Sequence, residues 1–418
     1  MKAGYGRNKI TPPLGVELCG YGYYLKRRAT GIRDDLYASC LAFKSEKETY
    51  LLIYCDLVAF TENIVSETKR LIRAKYGVPE QCVMIAATHT HTGPATMDAK
   101  GCGEMDAGYI GALPEKILKA ADGAYADLCD VEYIQSSEKE IAPIGYNRAI
   151  AGGPEDHFVR GFYIKRTGAP DIAVASYNCH PVSMGASSEI SRDYAGQSAD
   201  ALKALGEAGP HGLFITGVCG DIDPPPADRG NFEKIKQYGK SIAKGFYAGL
   251  SPKKERPENF SHGEIRVPLP LQPFDEKKIK EVALAARTGG KSEGFSRVAE
   301  LWEQKLLGEL AEGNLNFEYE EGIAYVFSIG SISVVGINYE TFTEIGTKIR
   351  EAFFDRTVIV AGNAGSTKGY FSTPAEIETG GGYAARESMF LYGKLPLDAA
   401  AAGVFAGAVT EGVKNKMI

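Results

Sequence analysis

Along the chain, short continuous apolar runs alternate with longer stretches in which apolar residues recur every three or four positions. Residues 50–55, 82–87, 172–177, 212–216, 332–337 and 357–360 are the short runs, rich in β-branched and aliphatic side chains. Runs of that length with no polar alternation predict strands buried on both faces. Residues 63–74, 114–126, 195–205, 232–248 and 341–353 carry the helical spacing instead. The last of these places Phe342, Ile345, Ile349 and Phe353 on one face. Strands followed by helices in this order predict an α/β fold. Residues 251–321 break the rhythm: a Pro-rich strand-like piece is followed by two charged helices. They read as a cap or insertion on one main domain.

Composition narrows the class without naming a function. The 418 residues are 44% hydrophobic and 24% charged, ordinary values for a globular chain. A net charge of -6 gives no electrostatic case for nucleic acid or an anionic membrane. The first residues lack the apolar core of a signal peptide, and no apolar run reaches the length of a membrane span. The eight cysteines are scattered, several inside strand-like runs, with no Cys-x-x-Cys pair. These features predict a reducing, cytoplasmic location without stable membrane association, and leave the oligomeric state open.

Chemistry concentrates where the predicted strands end. The run to Ala87 is followed by Thr88-His89-Thr90-His91-Thr92-Gly93-Pro94, with two imidazoles two residues apart. On an extended segment such side chains share a face. The run 172–177 leads to His180, 212–216 to Asp221 and Asp223, 332–337 to Glu340, and 357–360 to Asn363. Ligands of open α/β sheets bind beyond the carboxyl ends of strands, so these residues are expected to wall one site. His89, His180 and Glu340 would supply two nitrogens and an oxygen, the usual protein set of a hydrolytic zinc. Each also has a plainer reading. His180 before Pro181 can be a turn residue, Glu340 can favour a helix start through the dipole, and Asp221 and Asp223 can cap a turn. His157, His211 and His262 stand in polar loop contexts and receive no role.

In their order, these motifs resemble the catalytic domain of the neutral/alkaline, non-lysosomal ceramidases. The matching pieces are Ile10-Thr11-Pro12-Pro13-Leu14-Gly15, Gly20-Tyr21-Gly22, the stretch Gly31 to Ala38, Thr88 to Pro94, Asn147-Arg148, and His180 to Met184. Ile190-Ser191-Arg192-Asp193, Gly220 to Pro224, Tyr339-Glu340-Thr341 and Gly369-Tyr370 to Tyr383 follow. The resemblance spans nearly the whole chain. It implies mixed β-sheets flanked by helices in a single catalytic domain over 1–418. It also implies zinc (Zn2+) held by His89, His180, Glu340 and Tyr370, with His91, Arg148 and Tyr383 contacting the reacting amide.

Two departures bear on the substrate. The family carries serine where Asp223 stands, and its members add a C-terminal β-domain and an export signal that are not expected here. The expected activity is therefore zinc-dependent cleavage of an amide (N-acyl) bond in a small soluble molecule rather than in ceramide. His91 would transfer protons, Arg148 and Tyr383 would bind the oxyanion, and Asp223 would act as a base or orient the substrate. An alternative takes Asp193, Asp221 and Asp223 as an acid-lined pocket for an ester, lactone or glycoside of a polyol or sugar. A further alternative is a non-catalytic homologue that binds metal and ligand.

Overall fold

The computed structural model describes residues 1–379 and 382–416. An eight-stranded sheet runs, from one edge to the other, His211–Thr216, Ile172–Tyr177, Phe158–Arg166, Cys129–Glu140, Lys2–Lys9, Tyr37–Lys44, Thr49–Cys55 and Val83–Ala87. A four-stranded sheet runs Ser261–Pro270, Tyr319–Ile329, Ile332–Ile337, Thr357–Ala361. Both sheets mix parallel and antiparallel pairs, and helices pack around them. This is the α/β architecture expected from the alternation of apolar runs.

Within these two sheets each parallel pair is joined by a crossover helix, the usual connection of parallel strands. Glu62–Tyr76 links Thr49–Cys55 to Val83–Ala87, and Asp193–Leu205 links Ile172–Tyr177 to His211–Thr216. Thr343–Glu351 links Ile332–Ile337 to Thr357–Ala361. The six strands involved are the six read from apolar runs, because only strands covered on both faces lose polar alternation. Cys129–Glu140, by contrast, has an exposed or half-exposed face and leaves a weaker signature.

The two sheets share a core. Phe327 of the small sheet stacks on Tyr50 of the large one, with centroids 4.7 Å apart, and packs on Phe43 at 4.6 Å. Burial of such aromatic and aliphatic side chains, worth roughly 1.5–3 kcal/mol each, holds the sheets in one body. The large sheet also curls until its edges meet. Thr216, ending one edge strand, donates its hydroxyl to the carbonyl of Thr88, just beyond the other edge strand, at 2.7 Å. Segment 361–364 is bridged to both edges, through Ala86–Ala364 and Gly217–Ala361. The carboxyl ends of all three crossover units therefore converge on one point.

Within residues 251–321, Ser261–Pro270 is the edge strand of the small sheet. The helices Glu276–Thr288 and Glu293–Ala311 pair with each other, and Phe295 and Trp302 pack edge-on against Phe390 at 5.4 and 5.1 Å. His211 and His262, expected in loops, each stand on a strand, His211 stacked on Tyr5 at 4.5 Å and His262 bonded to Glu48 at 3.0 Å. All eight cysteines are free. Among the described residues, no helix is long and apolar enough to cross a membrane.

Candidate metal centre

Strand Val83–Ala87 ends two residues before His89, whose backbone turns into the left-handed region (φ 66°). That conformation is uncommon outside glycine. It is held by the His89 N–H bonding the Leu57 carbonyl at 2.8 Å. The sequence pattern expects the two imidazoles to share a face through a strand pleat. They do share a side, with His91 Nε2 3.2 Å from His89 Nε2, but the turn brings this about because the strand has already ended.

His180 lies just past strand Ile172–Tyr177, fully buried, with its Nε2 3.0 Å from that of His89. Glu340 is not at a helix start. It belongs to the two-residue strand Glu340–Thr341, paired in parallel with Tyr370–Phe371 so that Glu340 and Tyr370 are in register. The ladder sets their side chains next to each other. Glu340 Oε2 stands 3.1 Å from His89 Nε2 and 3.3 Å from His180 Nε2. The following helix, Thr343–Glu351, takes its cap from elsewhere: Asp221 accepts from both the N–H and the hydroxyl of Thr343 at 2.9 Å.

The proton arrangement tests whether this cluster suits a cation. His89 Nδ1 faces the Val58 carbonyl at 2.7 Å, and His180 Nδ1 faces the Cys219 carbonyl at 2.6 Å. A carbonyl only accepts, so both Nδ1 atoms carry a proton, and in the neutral rings both Nε2 atoms present lone pairs. Burial, with Arg148 next in effect, lowers the His180 pKa to about 4, which keeps the ring neutral. Burial alone would raise the Glu340 pKa, but His89 and His180 outweigh it and hold the carboxyl well below its usual range. In that state two imidazole lone pairs and a carboxylate oxygen face one another. Such an array is stable around a cation and repulsive without one, and carbonyl-anchored imidazoles are the usual second shell of zinc histidines. His89, His91 and His180 form a group whose ring nitrogens lie close enough to share an ion. Among them only His91 lacks an anchored ring, its buried Nδ1 having no hydrogen-bond partner among the described residues.

Around the cluster lies a cavity of about 340 Å³. Arg148 follows the two-residue strand Tyr146–Asn147, which pairs with Ile222–Asp223. Its guanidinium donates to the Gly220 carbonyl at 2.9 Å, to Tyr370 Oη at 3.0 Å and to Asp223 Oδ1 at 3.0 Å. Burial opposes that charge, but Tyr370, Asp223 and Glu340 outweigh it and push the Arg148 pKa up. Tyr370 stacks parallel to His180 with centroids 6.4 Å apart, and burial followed by the nearby Glu340 charge raises its pKa. Tyr383 meets Tyr370 edge-on at 5.5 Å and lines the cavity.

The three aspartates behave differently from one another. Asp223 lines the cavity, but both of its oxygens are engaged, Oδ1 by Arg148 and Oδ2 by Arg229 at 2.7 Å. Asp193 and Asp221, expected at the substrate, are buried outside the cavity lining. Asp193 accepts from the Met184 and Tyr194 N–H groups at 2.7 and 2.6 Å and holds the loop after His180. Asp221 is a helix cap. Burial raises both pKa values to about 6.

Several residues of the site escape a reading of the sequence. Tyr392 donates its hydroxyl to Glu340 Oε1. Arg229 pairs with Asp223, and Tyr21 meets His91 edge-on at 5.4 Å. Gly20 packs so closely that a Cβ there would sit 2.3 Å from His91 Nδ1. Only Gly20-Tyr21-Gly22 had any sequence signal, through the family resemblance. The other groups make their contacts from segments distant in the chain, Tyr392 at the end of the short helix Ser388–Tyr392 and Arg229 just after the turn Pro226–Asp228. A second trio, Glu48, Cys82 and His262, is also close enough to share an ion. Its imidazole Nδ1 is buried without a partner among the described residues, so it lacks the anchored tautomer seen in His89 and His180.

Solved structures with the same fold are neutral ceramidases. The crystal structure of neutral ceramidase from Pseudomonas aeruginosa matches with a TM-score of 0.74 at 20% identity, over 99% of this chain and 75% of that one. A ceramidase complexed with C2 matches with a TM-score of 0.75 at 18% identity, over the same shares. The chain therefore has the neutral ceramidase fold, as the motif order led one to expect. No family model matches the sequence, and no curated protein does.

Proposed function

We propose that the protein is a zinc-dependent hydrolase that cleaves the amide bond of an N-acylated small molecule. The observation that carries this reading is the convergence of His89 Nε2, His180 Nε2 and Glu340 Oε2 at 3.0–3.3 Å. It lies in a cavity beside a buried guanidinium. His89, His180 and Glu340 would hold the metal, with Tyr370 beside Glu340 as a further oxygen ligand. A bound zinc ion there supplies a Lewis acid and a water of lowered pKa, about 7.

The chain's own groups divide the remaining work. His91 has a ring nitrogen with no carbonyl to fix its tautomer, so it can take up or release a proton at the leaving amine. Burial, then His89 and His180, hold its pKa well down, so it begins as a neutral base. Arg148 and Tyr383 line the cavity and would donate to an oxygen that gains negative charge. Tyr21, Tyr23 and Leu391 wall the cavity and limit access of bulk water.

The polyol reading loses its main support from the placement of the aspartates. Only Asp223 reaches the cavity, and it is neutralised by two guanidiniums. Metal analysis of the purified protein, then N-acyl compounds, esters, lactones and glycosides assayed with and without chelation, tests the proposal. Bound zinc and chelator-sensitive amide cleavage are expected. Undiminished turnover after complete metal removal would overturn it.

A further inference from the structure

The cavity has two unlike walls. Val58, Met97, Ala99 and Leu391 form an apolar side, while Arg148, Asp223 and Arg229 form a charged one. On the charged side Asp223 accepts from both guanidiniums, one on each oxygen, so its negative charge is already paired with two cations. Arg148 directs four of its five N–H donors to Gly220, Tyr370 and Asp223, which leaves one Nη1 N–H. Arg229 differs. Among the described residues its side chain makes one hydrogen bond, Nη2 to Asp223, and the side chain is 33% exposed. The rest of its planar donor edge remains available at the cavity wall. On this wall two cations face one anion, while Glu340, the other carboxylate of the lining, is turned to His89 and His180.

The segment carrying Arg229 is built to hold it in place. Pro224, Pro225 and Pro226 lead into the short turn Pro226–Asp228. The Arg229 N–H bonds the Pro226 carbonyl at 3.3 Å, and the Gly230 N–H bonds the Ser183 carbonyl at 2.7 Å. Prolines restrict the backbone, and the Asp223 pair restrains the guanidinium, so little ordering remains to be done when a ligand arrives. A guanidinium edge presented in this way matches the planar oxygens of a carboxylate.

We infer that the substrate carries a carboxylate which Arg229 receives, making it an N-acyl amino acid whose acyl group lies on the apolar wall. This rests on the amide-hydrolase reading and gives its substrate class. Two guanidiniums and no free carboxylate disfavour a substrate whose amine portion is cationic, and a neutral diol would leave the Arg229 edge unpaired.

The test compares N-acyl amino acids with the matching N-acyl amines that lack the carboxylate, using the zinc-loaded protein and Arg229→Gln. The unaltered protein is expected to prefer the amino acid derivatives by roughly 10- to 100-fold in kcat/KM, the worth of one charged hydrogen-bonding contact. In Arg229→Gln that ratio should collapse toward one through a rise in KM, and Arg229→Lys should restore part of it. Equal rates on the two substrate sets, or a preference that survives Arg229→Gln, would overturn the inference. If no amide is cleaved at all, the hydrolase reading fails, and calorimetry decides the carboxylate site by itself. Roughly tenfold weaker binding of an N-acyl amino acid to Arg229→Gln supports it, and equal binding refutes it.

Discussion

The hydroxyl of Thr216 donates to the carbonyl of Thr88 at 2.7 Å, joining the carboxyl ends of two strands at opposite edges of an eight-stranded sheet. Both residues are buried, and Thr88 directly precedes His89. Replacing Thr216 by Val keeps the shape and removes the donor, leaving a buried carbonyl with its partner lost. A destabilisation of about 1–3 kcal/mol is expected, read as a lower denaturant midpoint. Metal affinity should weaken as well, because closure of the sheet places the His89 turn against the His180 strand.

His89 and His91 should separate cleanly by substitution. His89→Ala removes one of the anchored lone pairs, so metal content and activity should fall together. His91→Ala should keep the metal and lose turnover by roughly 10²–10⁴-fold. Elemental analysis alongside rate measurement distinguishes the two. A His91→Ala protein that loses its metal would make His91 a ligand.

Gly20→Ala tests the same division from a neighbouring residue. Gly20 has φ 97°, and an added Cβ would overlap the His91 ring. Displacement of that ring should lower kcat while metal content stays near that of the unaltered protein.

Tyr392→Phe removes the donor to Glu340 Oε1, a buried carboxylate oxygen. Loss of a hydrogen bond that orients a metal ligand weakens metal binding by roughly 10–100-fold. Competition with a chelator of known affinity measures this, and the rate at saturating metal should change much less.

Asp221 gives a pH-dependent expectation. Burial raises its folded pKa to about 6, above an unfolded value of about 3.9. The group's contribution is therefore fully present below about pH 4 and is lost as pH rises through about 6. The whole effect is at most about 3 kcal/mol. Asp221→Asn should flatten the fall in stability across this window, as measured by urea midpoints at several pH values. It should also be less stable than the parent at the acidic end, because the amide meets the Asn147 side-chain donor at 3.1 Å.

Much of the site could be read from the chain because buried strands write a simple code. Six continuous apolar runs marked the three crossover units, and the polar residues just past them (His89, His180, Glu340) were nominated as the wall of one site. The strand ends at Asp221 and Asp223 were equally visible, yet they have opposite fates, one capping Thr343 and the other facing the cavity between two guanidiniums. Nothing in Asp-Ile-Asp specifies that difference, which depends on which neighbours arrive across the fold.

By itself the sequence determined the α/β alternation, the apolar strands and the polar residues that end them, since those properties follow from local periodicity and burial. Only the tertiary structure decided that the large sheet curls until Thr216 reaches Thr88. It also decided that the shared side of His89 and His91 comes from a left-handed turn, and that Tyr392 and Arg229 complete the site. Those features are contacts between segments far apart in the chain, and their energies depend on distances that no local pattern encodes.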